Sequence, residues 1–375
     1  MRFYNPVRIH FGNTALTELP KLLGSCSPAL ITTPGTVSRG TAERVTRAFG
    51  RSDIAVFSGV QPNPTIASIT QAASAVLSSS PDLLIAVGGG STIDTAKGVA
   101  AIASPGCGGP DWLAGHLRDK TPFPDEFMPL SIVAIPTTAG TGSEVTMWGT
   151  VWDEIDGTKY SVSHPMLFPE AAFLVPELTL SAPAELTLFS ALDAISHCME
   201  SIWNRGATPV SDAFAVAGLE KILSALDTVL QKPDDLPGRR ALQEGALFGG
   251  LAISSNATAL AHSMSYPITA QFGMPHGLAC SFTLPELIRF NGEHAADRIQ
   301  LIAKTLGELG VDETAQRLET LFMEWRVPGH VRRYVGEHPV TNLRDRLLAP
   351  GRASNNIRAA TAEDAFGILT RSLPR

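Results

Sequence analysis

Four five-residue runs punctuate the first half of the chain: 29–33 (Ala-Leu-Ile-Thr-Thr), 54–58 (Ile-Ala-Val-Phe-Ser), 83–87 (Leu-Leu-Ile-Ala-Val) and 131–135 (Ser-Ile-Val-Ala-Ile). Each is followed by Gly, Pro or Thr and then by a stretch that reads as helix. Continuous short apolar runs alternating with helices predict strands buried on both faces of a parallel sheet. Ligands of such sheets bind beyond the carboxyl ends of the strands. The segments 33–35, 59–65, 88–90 and 136–138 are therefore expected to open on one crevice.

From about Pro183 the pattern changes. Strand-like runs become rare, and helical periodicity covers 185–203, 211–230, 238–252 and 295–309. Thr361, followed three residues on by Asp364, predicts the capped start of a last helix. The expected organisation is an α/β domain with a parallel, Rossmann-like sheet over 1–181 and an all-helical domain over 182–375. With 44% apolar and 17% charged residues, the 375-residue chain can bury a large core. Its net charge of −7, without a basic run, argues against nucleic acid or a polybasic membrane contact as partner. The start Met1-Arg2-Phe3-Tyr4-Asn5-Pro6 has no apolar leader core, and no apolar run is long enough to span a bilayer. Cys26, Cys107, Cys198 and Cys280 lie far apart without a CxxC pair. They fit a reducing, cytoplasmic setting and give neither a disulfide framework nor a thiolate zinc site.

Two loops carry candidate chemistry in the first half. After the third run comes Gly88-Gly89-Gly90-Ser91-Thr92-Ile93-Asp94-Thr95-Ala96-Lys97. Glycines permit close approach of a diphosphate, and a helix starting there points free N–H groups and its positive end at it. The segment is neither the GxGxxG fingerprint, since Ile93 stands where the last glycine would be, nor a Walker A loop. A plain βα turn fits the same residues. The second loop, Pro136-Thr137-Thr138-Ala139-Gly140-Thr141-Gly142-Ser143-Glu144, also follows a strand and offers hydroxyls to a nucleotide.

The second half carries candidate metal ligands. Asp193 and His197 stand at i and i+4, so a helix places them on one face. Glu200 lies one turn further, placed to support a ligand from behind. His262 and His276 are two further histidines in apolar surroundings. One carboxylate and three imidazoles suit a divalent first-row ion such as Fe2+, Zn2+ or Ni2+. An Asp–His pair at this spacing also fits a surface ion pair, and a lone histidine fits a satisfied core residue. Spacing alone leaves both readings open.

Taken in order, Gly88-Gly89-Gly90-Ser91 with Asp94-Thr95-Ala96-Lys97, the threonine loop continuing through Val145-Thr146, Asp193-Ala194-x-x-His197, and His262 with His276 resemble the iron-containing (group III) alcohol dehydrogenases. Asn63-Pro64-Thr65 resembles a further element of that family, and the likeness runs from Tyr4 to the C-terminus. The resemblance implies NAD(H) or NADP(H) in the first domain and a divalent metal, iron favoured, in the second. It implies Asp193, His197, His262 and His276 as ligands. It implies Gly89, Gly90, Ser91, Asp94, Thr137, Thr138, Thr141, Thr146 and Lys159 around the nucleotide, with Asn63 near the nicotinamide. The implied chemistry is hydride transfer between the nicotinamide and a small aldehyde or alcohol whose oxygen the metal polarises. A homodimer or larger homo-oligomer is also implied.

The chain departs from the family pattern in three places. Tyr266 stands where many members carry a further histidine, which leaves it a polar or a packing role. Thr33-Pro34-Gly35 lacks the acidic residue that would hold a ribose 2′-hydroxyl, so NADPH stays open. Val175 stands where an Asp is common, and nothing follows from it. The stretches around His262 and His276 are similar to the phosphonoacetaldehyde reductase branch, which forms 2-hydroxyethylphosphonate. That substrate asks for a cation, for which Arg205 and Lys159 are the candidates; Arg205 equally reads as a solvated helix end. The alternative is a generic short- or medium-chain alcohol dehydrogenase. Less expected are a maleylacetate reductase, a metal-dependent lyase of the same two-domain plan, and a non-catalytic NAD-binding protein.

Overall fold

The structure is a computed structural model and describes residues 3–50, 54–155, 157–336 and 338–374. The expected domain ends at Met1 and Arg375, and the Met1-Arg2 opening of the N-terminus, lie outside the described residues. The chain divides into two compact units. One comprises Asn5–Thr138 and Ser143–Ala182. The other comprises Pro183–Arg375 together with Met1–Tyr4 and Ala139–Gly142.

The first unit is built on a six-stranded sheet of order β1-β8-β5-β4-β2-β3. Its strands are β1 (Arg8–Phe11), β2 (Pro28–Thr32), β3 (Ala55–Phe57), β4 (Leu83–Gly88), β5 (Ser131–Pro136) and β8 (Ala171–Leu174). Every pairing is parallel. The reason β4 reads as an unbroken apolar run is visible in its two faces. Leu84 and Ala86 enter the core formed with the helices Ile66–Leu77 and Gly90–Ile102. Leu83, Ile85 and Val87 enter the opposite core with Leu19, Val45 and Phe173. Successive side chains point to opposite faces, so a strand covered on both sides is apolar throughout.

Four of the six strands coincide with the four apolar runs. The edge strand β1 was not legible because Arg-Ile-His-Phe alternates and is partly exposed. The strand β8 is only four residues long. A separate antiparallel hairpin, β6 (Trp148–Trp152) with β7 (Lys159–Ser163), was also not anticipated. The parallel register places the carboxyl ends of β2, β3, β4 and β5 along one edge. There Thr137 N–H donates to the Gly88 carbonyl at 2.9 Å and joins the glycine loop to the threonine loop.

The second unit is helical; among the described residues it contains no strand beyond an isolated bridge between Asn204 and Asn356. The helices Ala184–Ile202, Pro209–Gln231 and Leu236–Asn256 pack around Leu192, Ile195, Met199, Leu219 and Ile222. The helices Leu260–Phe272 and His276–Ala279 join the same core through Leu260, Met264 and Leu278. Thr361 accepts from Asp364 N–H, and Asp364 accepts from Thr361 N–H, which fixes the start of the helix Ala362–Ser372. The helical unit begins at Pro183, and the excursion Ala139–Gly142 goes with it, Ala139 packing on the helical core. The excursion separates Thr141 from its neighbours Thr137 and Thr138 in the loop. Among the described residues no helix is long and apolar enough to cross a membrane.

Candidate metal centre and coenzyme loops

Asp193 and His197 lie on consecutive turns of the buried helix Ala184–Ile202. His262 comes from the first turn of Leu260–Phe272, and His276 opens the short helix His276–Ala279. Gly277 allows this convergence. A Cβ there would overlap the Phe189 carbonyl oxygen and stand 3.1 Å from the Asp193 Cβ. Only glycine lets the His276 turn settle this closely on the helix that carries Asp193. Ser196 Oγ then donates to the Cys280 carbonyl at 2.9 Å and ties the two segments together.

Three imidazoles aim at one carboxylate oxygen. His197 Nε2 and His262 Nε2 each lie 3.5 Å from Asp193 Oδ1, and His276 Nε2 lies 3.9 Å from it. The His197 and His262 rings stack with centroids 4.8 Å apart, and His276 stands edge-on to His262 at 5.2 Å. Asp193, His197 and His262 are buried, whereas a quarter of the His276 side chain is exposed. Access to the cluster is therefore from the His276 side. Tyr266, one helical turn beyond His262, has its ring 6.5 Å from that of His276.

Glu200 orients His262. Its Oε1 accepts the His262 backbone N–H at 3.2 Å, and its Oε2 is hydrogen-bonded to ring Nδ1. With Nδ1 committed, Nε2 is the atom offered to the cluster, and it has no hydrogen-bond partner. A buried, unpartnered imidazole nitrogen costs free energy unless something binds it. That orphaned nitrogen, facing a carboxylate among three imidazoles, fits a divalent cation.

The charges support the same fit. Burial works against the Asp193 carboxylate, but His197, His262 and His276 together hold it well below the usual range. Burial pushes His197 down to about 4 and so keeps a neutral ring. Burial likewise opposes charge on His262, yet Glu200 and Asp193 push it up to about 9. A divalent ion would compete with that Nε2 proton for the same lone pair.

Cys280 Sγ donates to Asp193 Oδ1 at 3.3 Å and to the Gly277 carbonyl at 3.5 Å, and burial pushes its thiol well above the usual range, so it stands beside the cluster as a thiol. Asp193, His262, His276 and Cys280 offer ligand atoms that all lie within 4.8 Å of one another. Cys280 follows His276 by four residues, one helical turn. That spacing was the available signal, and it goes unnoticed when cysteines are sought in pairs.

In the α/β unit, Gly89 caps the thirteen-residue helix Gly90–Ile102. A Cβ on Gly89 would meet Thr138 Oγ1 at 3.1 Å, so a side chain would fill the space between the loops. Gly90 and Thr137 are buried here, and Ser91 is half-buried in the first turn. Asp94 and Thr146 face inward instead. Ser143 Oγ donates to Asp94 Oδ1 at 2.6 Å. Lys97, fully buried, donates to the Ser143 carbonyl at 2.7 Å, Ser143 Oγ at 3.0 Å, Thr146 Oγ1 at 3.1 Å and the Trp148 carbonyl at 2.7 Å. Burial pushes the Lys97 amine down to about 8. In the sequence Lys97 is one residue of the glycine-loop motif, and its bracing of the 143–148 segment depends on partners far along the chain.

The remaining candidates are more scattered. Asn63 is exposed at the end of the loop after β3, in left-handed backbone with φ +58°. Lys159 lies on β7 with its Nζ 6.0 Å from the Trp152 ring centroid. Arg205 lies three residues beyond the helix Ala184–Ile202 and is exposed, its backbone N–H donating to the Asn355 carbonyl at 2.8 Å. The structure joins Arg205 to none of the four candidate ligands.

Comparison with known proteins agrees with this architecture. Residues 6–176 match the model of the iron-containing alcohol dehydrogenases, and residues 187–373 match that of the C-terminal part of the Fe-containing alcohol dehydrogenase family. The NAD-dependent methanol dehydrogenase of Bacillus methanolicus is 29% identical over 99% of both chains. The phosphonoacetaldehyde reductase of Streptomyces viridochromogenes is 34% identical over 70% of this chain and 66% of its own. The crystal structure of sulfoacetaldehyde reductase from Bifidobacterium kashiwanohense in complex with NAD+ superposes with a TM-score of 0.87 at 28% identity. That superposition covers 99% of this chain and 98% of the other.

Proposed function

Because the chain belongs to the iron-containing alcohol dehydrogenases, NAD-dependent oxidoreductases that use a divalent metal, we propose that it reduces a short aldehyde, with phosphonoacetaldehyde, giving 2-hydroxyethylphosphonate, as the favoured substrate. In this reading the α/β unit binds the coenzyme and the helical unit binds the metal and the aldehyde. The observation that carries it is the convergence of three imidazole Nε2 atoms within 3.9 Å of Asp193 Oδ1.

When bound, the metal supplies Lewis acidity to the substrate oxygen and the nicotinamide supplies the hydride. The chain's own residues prepare the site. Asp193, His197, His262 and His276 hold the ion. Glu200 keeps the remaining proton on His262 Nδ1, so that Nε2 presents its lone pair. Tyr266, whose ring lies 6.5 Å from that of the partly exposed His276, would orient the aldehyde. Gly89, Gly90, Ser91, Thr137 and Thr138 cradle the diphosphate. Lys97 and Asp94 hold the 143–148 segment in place behind them.

Two relatives support a substrate with an anionic head: the phosphonoacetaldehyde reductase and the sulfoacetaldehyde reductase are both named for two-carbon aldehydes of that kind. A second reading, a short-chain alcohol dehydrogenase, is favoured by the exposed position of Arg205 and by the methanol dehydrogenase likeness over the whole chain. The test is nicotinamide absorbance with the metal-loaded protein and equal concentrations of phosphonoacetaldehyde, propanal and formaldehyde. A kcat/KM at least about tenfold higher for phosphonoacetaldehyde supports the first reading, a difference of about 1.4 kcal/mol in transition-state binding. A higher value for propanal moves the assignment to the second. Four free cysteines support a reducing, cytoplasmic setting. A homo-oligomer rests on the family resemblance and is checked by light scattering.

A further inference from the structure

We infer that Ser263 is a positioning residue of the metal centre: through its hydroxyl, the segment 341–357 clamps in register the two helices that carry Asp193, His197 and His262. The inference rests on the reading of the Asp193 cluster as a metal centre and names what holds its helices.

The segment 341–357 has little regular structure of its own, only the 3-10 turns Thr341–Arg346 and Ala353–Asn355 and an isolated bridge at Asn356. Yet it runs antiparallel to the helix Leu260–Phe272 and is tied along it at three levels. Asn342 and Gln271 exchange side-chain hydrogen bonds at 2.9 and 3.2 Å. Ser263 Oγ donates to the Leu347 carbonyl at 2.7 Å and accepts the Ala349 N–H at 2.6 Å. Asn355 Nδ2 donates to the Thr258 carbonyl at 2.8 Å, just before the helix starts. The segment then reaches the end of the helix Ala184–Ile202. There Arg205 N–H donates to the Asn355 carbonyl at 2.8 Å, and Ile357 N–H donates to the Trp203 carbonyl at 2.9 Å. One segment therefore grips both helices that supply Asp193, His197 and His262.

Ser263 is the central tie. It is fully buried, and its hydroxyl both donates to and accepts from the segment. It follows His262 directly, at a place where the helix needs outside support. Pro267 has no N–H to give the Ser263 carbonyl, so the helical ladder is interrupted beside His262. Glu200 holds the His262 ring from the first helix, and Ser263 holds the neighbouring backbone from the clamp. The serine acts through His262 and not on substrate.

The experiment strips the full-length protein with a chelator and titrates it with cobalt, following the visible d–d bands for occupancy and ligand geometry. The affinity of Ser263→Ala is expected to fall about tenfold, the lower end of what loss of a group supporting a metal ligand costs, with d–d bands shifted at saturation and NADH affinity intact. A serine that only stabilises the fold would lower the unfolding midpoint of the apoprotein and leave affinity and bands alone; that result overturns the proposal and leaves the metal centre standing. A wild type that takes up no cobalt overturns the metal reading and this proposal with it. Should Ser263→Ala fail to fold, Asn355→Ala, which cuts a different tie, decides: weaker cobalt binding supports the clamp, and unchanged binding overturns it. Hydrogen exchange on the wild type needs no variant. Because coupling is reciprocal, bound cobalt should slow exchange of the Ala349 and Ile357 amides, and equal exchange with and without cobalt contradicts the proposal.

Discussion

Glu200 grips His262 twice, taking the backbone N–H on one carboxylate oxygen and ring Nδ1 on the other. The pair lies 62 residues apart in sequence, and both partners are buried. The arrangement fixes the orientation of the His262 ring and keeps a proton on its Nδ1. Removing the charge while keeping the shape should loosen that hold. Glu200→Gln is expected to weaken zinc or iron binding by about 10–100-fold, the usual cost of losing a carboxylate behind a metal-bound histidine. Competition with a chromogenic chelator measures it, and NADH affinity should stay unchanged. An unaltered metal affinity would mean that His262 is oriented by something else.

The coenzyme loops give a second expectation. Gly89→Val places branched carbons where a single Cβ already meets Thr138 Oγ1 at 3.1 Å. The threonine loop must move, and the space for a diphosphate shrinks. NADH affinity, followed by coenzyme fluorescence, should fall by at least about tenfold, or 1.4 kcal/mol, with metal content intact. Normal affinity would place the diphosphate elsewhere.

Lys97 couples stability to pH. Burial lowers its amine from 10.5 to about 8, so the charged form is disfavoured by folding. Below pH 8 that penalty is present in full. Between about 8 and 10.5 the unfolded chain carries more protons at this site, and stability rises with pH. Lys97→Met should remove this rise. At neutral pH it should also destabilise the chain by roughly 3 kcal/mol, because the Ser143 and Trp148 carbonyls lose their donor and Asp94 loses its nearby cation. Urea denaturation of both proteins across this range checks both statements. Parallel pH profiles would show that Lys97 does not titrate there.

Coenzyme choice turns on the end of β2. Pro34 is exposed at the first position of the helix Pro34–Ser38, behind the capping Thr33. The Arg39 guanidinium lies over Gly35, with Nη1 2.7 Å from where a Cβ would stand. A cation and no carboxylate at this place should let NADPH serve within about tenfold of NADH. Pro34→Asp should shift the ratio toward NADH by opposing the 2′-phosphate. The measurement is kcat/KM for both coenzymes in both proteins. A wild type that prefers NADH by about a hundredfold would show that another group reads the ribose.

Much of this was legible in the residues because burial imposes patterns. Leu83 to Val87 announces a strand covered on both faces, and Asp193 with His197 announces one face of a helix. Relationships that depend on distant segments were less accessible. Arg8–Phe11 is an edge strand whose alternation resembles a loop. Lys97 sits in a helix of small apolar residues, and its four oxygen partners all lie more than forty positions downstream. Cys280 is one cysteine in an apolar stretch until the fold brings Asp193 beside it. The expected substrate cation at Arg205 was read from charge alone, and the structure leaves it on the surface.

The Asp193 cluster is expected to work through a bound divalent ion. The most direct measurement is NADH-linked reduction of phosphonoacetaldehyde or a short aldehyde, before and after exhaustive chelation and after return of iron or zinc, with metal content followed throughout. Activity should fall with metal content and return on reloading at about one ion per chain, while His276→Ala should neither retain the ion nor recover. Full activity in metal-depleted protein, or in His276→Ala, would contradict it.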